Sequence, residues 1–187
     1  MLHTLMEAHR QGRLHHYEEL MRELMQDQDR RLGELGTLMG ALEEWQDQKA
    51  YAGVIIGGDF NFEPGSPEYL ALQRFGFADT HRLAMPNMML HTYDPLKNPL
   101  AAHEEATLPP ALRRALAAES HDDQDTVIHA YREAINMPRR IDFLFSMSFM
   151  SQACLMQSLF GEVNSTGMAG SDHYGILNTY TYRRMPC

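Results

Sequence analysis

The run Arg140-Ile141-Asp142-Phe143-Leu144-Phe145 sets a carboxylate inside an otherwise apolar, alternating stretch. Alternation with a period of two is the signature of a strand, with Ile141, Phe143 and Phe145 on one face and Asp142 on the other. An aspartate in so apolar a strand is costly unless it is paired or hydrogen bonded. Any fold of this chain must therefore bring Asp142 a partner. Two kinds are open: a histidine, whose tautomer the carboxylate would fix, or a salt bridge to Arg139 or Arg140.

Two further stretches put polar chemistry at the ends of apolar runs. Ala52 to Ile56 reads as a buried strand, closed by Gly57-Gly58-Asp59-Phe60-Asn61. A strand places residues i and i+2 on one face, so Asp59 and Asn61 point together and Phe60 turns away. A carboxylate beside a carboxamide can orient and deprotonate water while the amide steadies charge on a phosphate. The same residues also suit an ordinary turn. Near the other end, Ser171-Asp172-His173 precedes a last strand, His173 to Tyr182. There Asp172 can ligate a cation and His173 can donate to a phosphate oxygen, or the trio is a cap or turn.

Between these motifs helical and extended patterns alternate. Helical spacing covers Leu14 to Met25 and again Leu32 to Trp45, the second interrupted by Gly33, Gly36 and Gly40. Pro67 opens a helix through Phe75, Pro109-Pro110 opens one through Ala118, and Asp125 to Asn136 forms another. Met88 to Tyr93 and Cys154 to Val163 read as strands. The fold class is α/β (α+β).

Composition removes several alternatives. The 187 residues suffice for one domain with a core, and no apolar run is long enough to span a bilayer. Met1 to Arg13 lacks the apolar centre of a signal peptide. A net charge of -9 disfavours tight nonspecific nucleic-acid binding, although a bound cation can bridge phosphate to an acidic site. Cys154 and Cys187 form neither a disulfide framework nor a zinc pattern. His9, His15 and His16 do not share a helix face, and the acids at His121 to Asp125 are explained by capping and the helix dipole. The fourteen methionines, Met85, Met88 and Met89 among them, read as core filling.

Taken in order, Gly58-Asp59-Phe60-Asn61, Arg140-Ile141-Asp142-Phe143 and Ser171-Asp172-His173 resemble the motifs of the endonuclease/exonuclease/phosphatase superfamily. Its members use Mg2+ to hydrolyse phosphodiesters and phosphomonoesters on a four-layer α/β/β/α sandwich of mostly antiparallel sheets. Thr92-Tyr93-Asp94 is similar to a Thr-Trp-Asp stretch found between the first two motifs. By this resemblance Asp59 activates water, Asn61 contacts the phosphate, Asp142 orients His173, and Asp172 serves the metal site with Asp59. The implied cofactor is Mg2+ or Mn2+. The implied substrate is a phosphoester: a lipid headgroup or small molecule, as in the sphingomyelinase branch, or nucleic acid. No specific protein partner is implied.

The likeness runs from Gly53 onward and breaks upstream. Members carry an early Gln-Glu pair whose glutamate is the principal Mg2+ ligand, and no Gln-Glu dipeptide occurs in this sequence. Leu2-His3-Thr4-Leu5 resembles a cut version of the Thr-His strand that follows that pair, which makes His3 a candidate site residue. The expectation is one domain over residues 1–187 whose first strands lie outside the chain. The competing expectation is an inactive, truncated homologue that binds phosphate weakly or not at all.

Overall fold

The computed structural model describes residues 6–7, 9–12, 17–48, 53–101, 113–114, 116–117, 120–148, 154–160 and 170–180, with backbone alone for some, 154–160 included. Its contacts define two compact units, Met1–Arg31 with Ala102–Met137, and Leu32–Ala101 with Pro138–Cys187. Helix α1, Tyr17–Gln48, begins in the first unit and ends in the second. The sequence reading of two separate helices is corrected here to one of 32 residues. Each interior glycine costs only about 1 kcal/mol relative to alanine, and Leu35 and Leu42 are buried in the second unit's core.

In the first unit, α4 (His121–Ile135) starts four residues before the expected Asp125. The Ser120 hydroxyl accepts from the Asp123 amide at 3.3 Å, and Asp122 and Asp123 occupy the first turn. Capping and the helix dipole thus account for this acidic run. Val127 and Ala130 supply its buried face. The helix expected over 109–118 lies mostly outside the described residues.

The second unit holds two antiparallel sheets. Strands β1 (Gly53–Asp59), β2 (Ala78–Asp79) and β3 (Asp142–Ser148) form one, in the order β1-β3-β2. Strands β4 (Cys154–Phe160) and β5 (Gly175–Tyr180) form the other. The mixed class and antiparallel pairing expected from the sequence are what the structure has. Helix α2 (Pro67–Phe75) begins with proline, is capped by the Ser66 hydroxyl, and ends at Gly76 with φ 107°. That left-handed stop favours glycine. The short α3 (Thr80–Ala84), which the sequence does not announce, follows β2 directly and is capped by Asp79.

Phe62, Tyr69, Leu72, Phe77, Phe143 and Phe145 pack with Leu35 and Leu42 into one core under β3. The rings of Phe143 and Phe145 stack 5.1 Å apart. Truncating either to alanine would cost about 3–5 kcal/mol. Asn178 Nδ2 donates to Thr80 Oγ1 at 2.6 Å, and Thr80 Oγ1 donates to the Leu144 carbonyl at 2.6 Å, tying β5 to α3 and β3.

Met88 to Tyr93 is not a strand. Only Tyr93 pairs, through isolated bridges to Arg139 and His173. Met88 is 56% and Met89 83% exposed, so these two methionines do not fill the core. A hydrogen bond at 2.7 Å between His81 Nε2 and the Met88 carbonyl takes up a backbone group that a ladder would otherwise use. No helix among the described residues is long and apolar enough to cross a membrane.

Candidate active site

Strand pairing sets the first two site residues. In the β1–β3 register Asp59 lies directly opposite Asp142. Gly57 sits under the Leu144 side chain, whose Cδ2 would clash with a Cβ at this position, so a side chain there would displace Leu144. The ladder continues one residue further, with the Phe60 amide donating to the Ile141 carbonyl at 2.9 Å. It then stops at a turn. The Asn61 amide donates to Asp59 Oδ1 at 2.8 Å, and Asn61 adopts φ 52°.

This corrects the expectation that Asp59 and Asn61 share a strand face. Asn61 lies past the strand end, in a left-handed conformation that asparagine tolerates better than most residues. The turn reading and the site reading of this motif describe the same geometry: the aspartate forms the turn and still presents its carboxylate at the strand end.

Opposite, Asp142 Oδ2 lies 2.8 Å from His173 Nδ1. The contact places the ring proton on Nδ1 and leaves Nε2 directed elsewhere. His173 is thus the partner that Asp142 requires, and Arg140 is committed to a buried ion pair with Asp79 instead. Thr92, fully buried, receives the Ile141 and Asp142 amides on its hydroxyl oxygen at 3.1 and 3.0 Å. Burial pushes the Asp142 carboxyl above its ordinary pKa, and the nearby Asp59 charge adds to the rise. Hydrogen bonds from Thr92 and His173, with the His173 charge, oppose it.

The His173 loop is held from beneath. The Tyr174 amide donates to the Thr92 carbonyl at 2.7 Å, and the buried Asn98 donates its Nδ2 to the Ser171 carbonyl at 2.7 Å. Tyr93 places its ring 5.2 Å from the His173 ring. Ser171 Oγ accepts from the His173 amide at 3.2 Å. Asp172 remains outermost, 54% exposed, with Oδ2 4.0 Å from His173 Nε2. His3 lies outside the described residues.

Of the candidate residues, Asp59, Asp142 and His173 are brought together, each offering one ligand atom within 4.8 Å of the others. Asp172 adjoins His173, and Asn61 adjoins Asp59 through its backbone. A small cavity of about 180 Å3 opens between Asp59, Asp142 and Tyr174. The donor set fits a hard divalent cation, which takes one or two carboxylates and leaves its other positions to water and substrate oxygens. It also answers a local problem, since like charges directly opposite across two strands destabilise the pair.

Sequence reasoning gives Thr92, Tyr93 and Asn98 no structural role. Their contacts run to backbone groups far along the chain and leave no periodic signal. The Thr-Tyr-Asp stretch between the aspartate motifs is the one hint available.

No family model and no curated protein matches the chain. Among solved structures, truncated Caenorhabditis elegans TDP2 is similar over 78% of this chain and 45% of its own, at 20% identity and TM-score 0.45. An AP endonuclease from Archaeoglobus fulgidus is similar over 78% of this chain and 53% of its own, at 13% identity and TM-score 0.44. The chain spans about half the length of each.

Proposed function

We propose that the chain carries the catalytic face of a divalent-cation-dependent phosphoester hydrolase that acts by attack of an activated water. The observation behind this reading is the Asp142–His173 pair at 2.8 Å, set beside Asp59 so that all three offer ligand atoms within 4.8 Å. A carboxylate-oriented imidazole next to a second, exposed carboxylate is a set able to move a proton and to steady negative charge at one place.

In this reading Asp59 takes the proton of the attacking water, and its strand-end position leaves the carboxylate open to solvent. Asp142 holds His173 through Nδ1, and with both ring nitrogens protonated, a form the adjacent carboxylate stabilises, Nε2 donates to a phosphate oxygen. Asn61 contacts the same phosphate. Asp59, Asp142 and the exposed Asp172 are the carboxylates for Mg2+ or Mn2+, which when bound supplies Lewis-acid polarisation of the phosphoryl oxygen. The bond formed is phosphorus to water oxygen, and the bond broken is phosphorus to the ester oxygen.

The test is hydrolysis of bis-p-nitrophenyl phosphate by the chain, with and without Mg2+ or Mn2+. Metal-dependent release of p-nitrophenol, absent in Asp59→Ala and in His173→Ala, supports the reading. Release that persists in chelator would refute it.

A further inference from the structure

A second cavity of this unit does not coincide with the acidic site. It measures about 480 Å3, enough for a phosphate with the group that carries it, and lies between α3, the 86–91 loop and residues 138–140. Its ionisable lining is basic: His81, Arg82, His91, Arg139 and Arg140, against Glu63 alone. This concentration stands out in a chain of net charge -9.

Not all of that charge is already matched. Arg140 pairs with Asp79, and Arg82 hydrogen-bonds Tyr69. Arg139 has no carboxylate partner among the described residues, and its guanidinium lies over the Tyr93 ring, 5.0 Å from the centroid. The Nε atoms of Arg139 and Arg140 are buried with no hydrogen-bond partner, and so is Nδ1 of His81, a residue 3% exposed. Buried polar atoms are normally answered, and two arginines of one cavity wall each keep an Nε–H without an acceptor, a donor excess suited to an anion. His81 adds no such donor, since its Nε2–H goes to the Met88 carbonyl and Nδ1 is the bare nitrogen.

The cavity also borders the acidic site. Arg140 precedes Asp142 by two residues, and Glu63 follows Asn61 by two. Tyr93 connects a residue of each: the Arg139 guanidinium lies over its ring, and the His173 ring meets it at 5.2 Å. We propose that this cavity is an anion subsite that receives a second phosphate of the substrate, next to the scissile one. The proposal rests on the hydrolase reading for the identity of the scissile group. The exposed, flexible Met88 and Met89 at the rim would lie against the apolar or ring portion of the same molecule. A choline-type headgroup, being cationic, would be repelled by the guanidinium groups. The subsite therefore selects substrates bearing adjacent phosphates over zwitterionic lipid headgroups.

Titration calorimetry of the whole chain in EDTA separates this from the hydrolase reading, because the acidic site then holds no cation. The probes are thymidine 3′,5′-bisphosphate, inorganic pyrophosphate and phosphocholine. The two bisphosphates should bind, and phosphocholine at least tenfold more weakly. A preference for the nucleoside over pyrophosphate would show that the neighbouring phosphate comes on a nucleotide rather than as free polyphosphate. Arg139→Gln should weaken bisphosphate binding at least tenfold, and Arg139→Lys, which keeps the charge, should weaken it less. Undiminished binding in a folded Arg139→Gln, no bisphosphate binding by the wild type, or equal affinity for phosphocholine, would overturn the proposal. Arg139-dependent binding by a chain without phosphoesterase activity would keep the subsite and sink the hydrolase.

Discussion

Asp142 Oδ2 and His173 Nδ1 lie 2.8 Å apart, which fixes an imidazole on a loop from the central strand of a sheet. The loop alone would not hold the ring, because Ser171 and Asp172 on its near side are exposed. If the pair acts as a unit, removing either member removes what both supply. Asp142→Ala and His173→Ala should each lower kcat/KM for a phosphodiester by about 10²- to 10⁴-fold. The double variant should be no worse than the poorer single one. Steady-state kinetics of the three variants checks this, and multiplicative losses would separate the roles of the two residues.

The facing of Asp59 and Asp142 across β1 and β3 gives a second expectation. A cation between them relieves their repulsion, so Mn2+ affinity should fall at least tenfold in Asp59→Ala. Electron paramagnetic resonance of free Mn2+ measures it directly. Equal affinity in the variant would take Asp59 out of the metal site.

Thr92 offers one oxygen to two backbone amides, those of Ile141 and Asp142, in a fully buried position. Valine matches its shape but cannot accept either hydrogen bond. Thr92→Val should therefore lose about 1–3 kcal/mol of stability, the cost of leaving a buried donor unanswered. Urea unfolding followed by circular dichroism would show it, and a loss below about 0.5 kcal/mol would mean that water or a shift of β3 replaces the hydroxyl.

What the sequence made readable follows from how local each signal is. Asp142 needs a partner because its strand neighbours are apolar, and that argument uses six consecutive residues. The strand ending at Asp59 is likewise visible from the glycines beside it. The Arg140–Asp79 pair and the Thr92 clamp join residues 61 and 49 or 50 positions apart, with no pattern to announce them. The split of α1 into two helices overweights three glycines whose penalty is small beside the burial of Leu35 and Leu42. Met88 and Met89 show the reverse error, apolar residues taken for core where the fold places them at the rim of a cavity.

Asp79 collects an unusual number of partners for one buried carboxylate. It pairs with Arg140, accepts from the Tyr69 hydroxyl at 2.9 Å, and caps α3 through the His81 amide at 3.1 Å. Asp79→Ala leaves the Arg140 guanidinium buried and unpaired, and breaking a buried pair in this way costs about 3–5 kcal/mol. The variant should unfold at markedly lower urea concentration than the wild type. Replacing both partners, as Asp79→Leu with Arg140→Met, should recover part of the loss, because no lone charge then remains. If the double variant is less stable than Asp79→Ala, the pair is not the source of the cost.

The last expectation concerns pH. The folded-state pKa of Asp142 is raised, chiefly by burial. Between the ordinary carboxylate value and that raised value, the folded chain binds a proton at Asp142 that the unfolded chain has released. Stability from this group is therefore fully present below the unfolded pKa and is lost as pH climbs through the folded one. Asp142→Asn has no such proton to release. In EDTA, the stability of Asp142→Asn relative to wild type should move in the variant's favour as pH rises from about 4 to 7. Carboxylates remote from the site contribute equally to both proteins and cancel in the difference, whereas Asp59 and His173 interact with Asp142 and so enter it. Urea unfolding of the two proteins across that range decides it. A difference that moves the other way would mean that the hydrogen bonds from Thr92 and His173 outweigh burial and hold the Asp142 carboxyl below its ordinary pKa.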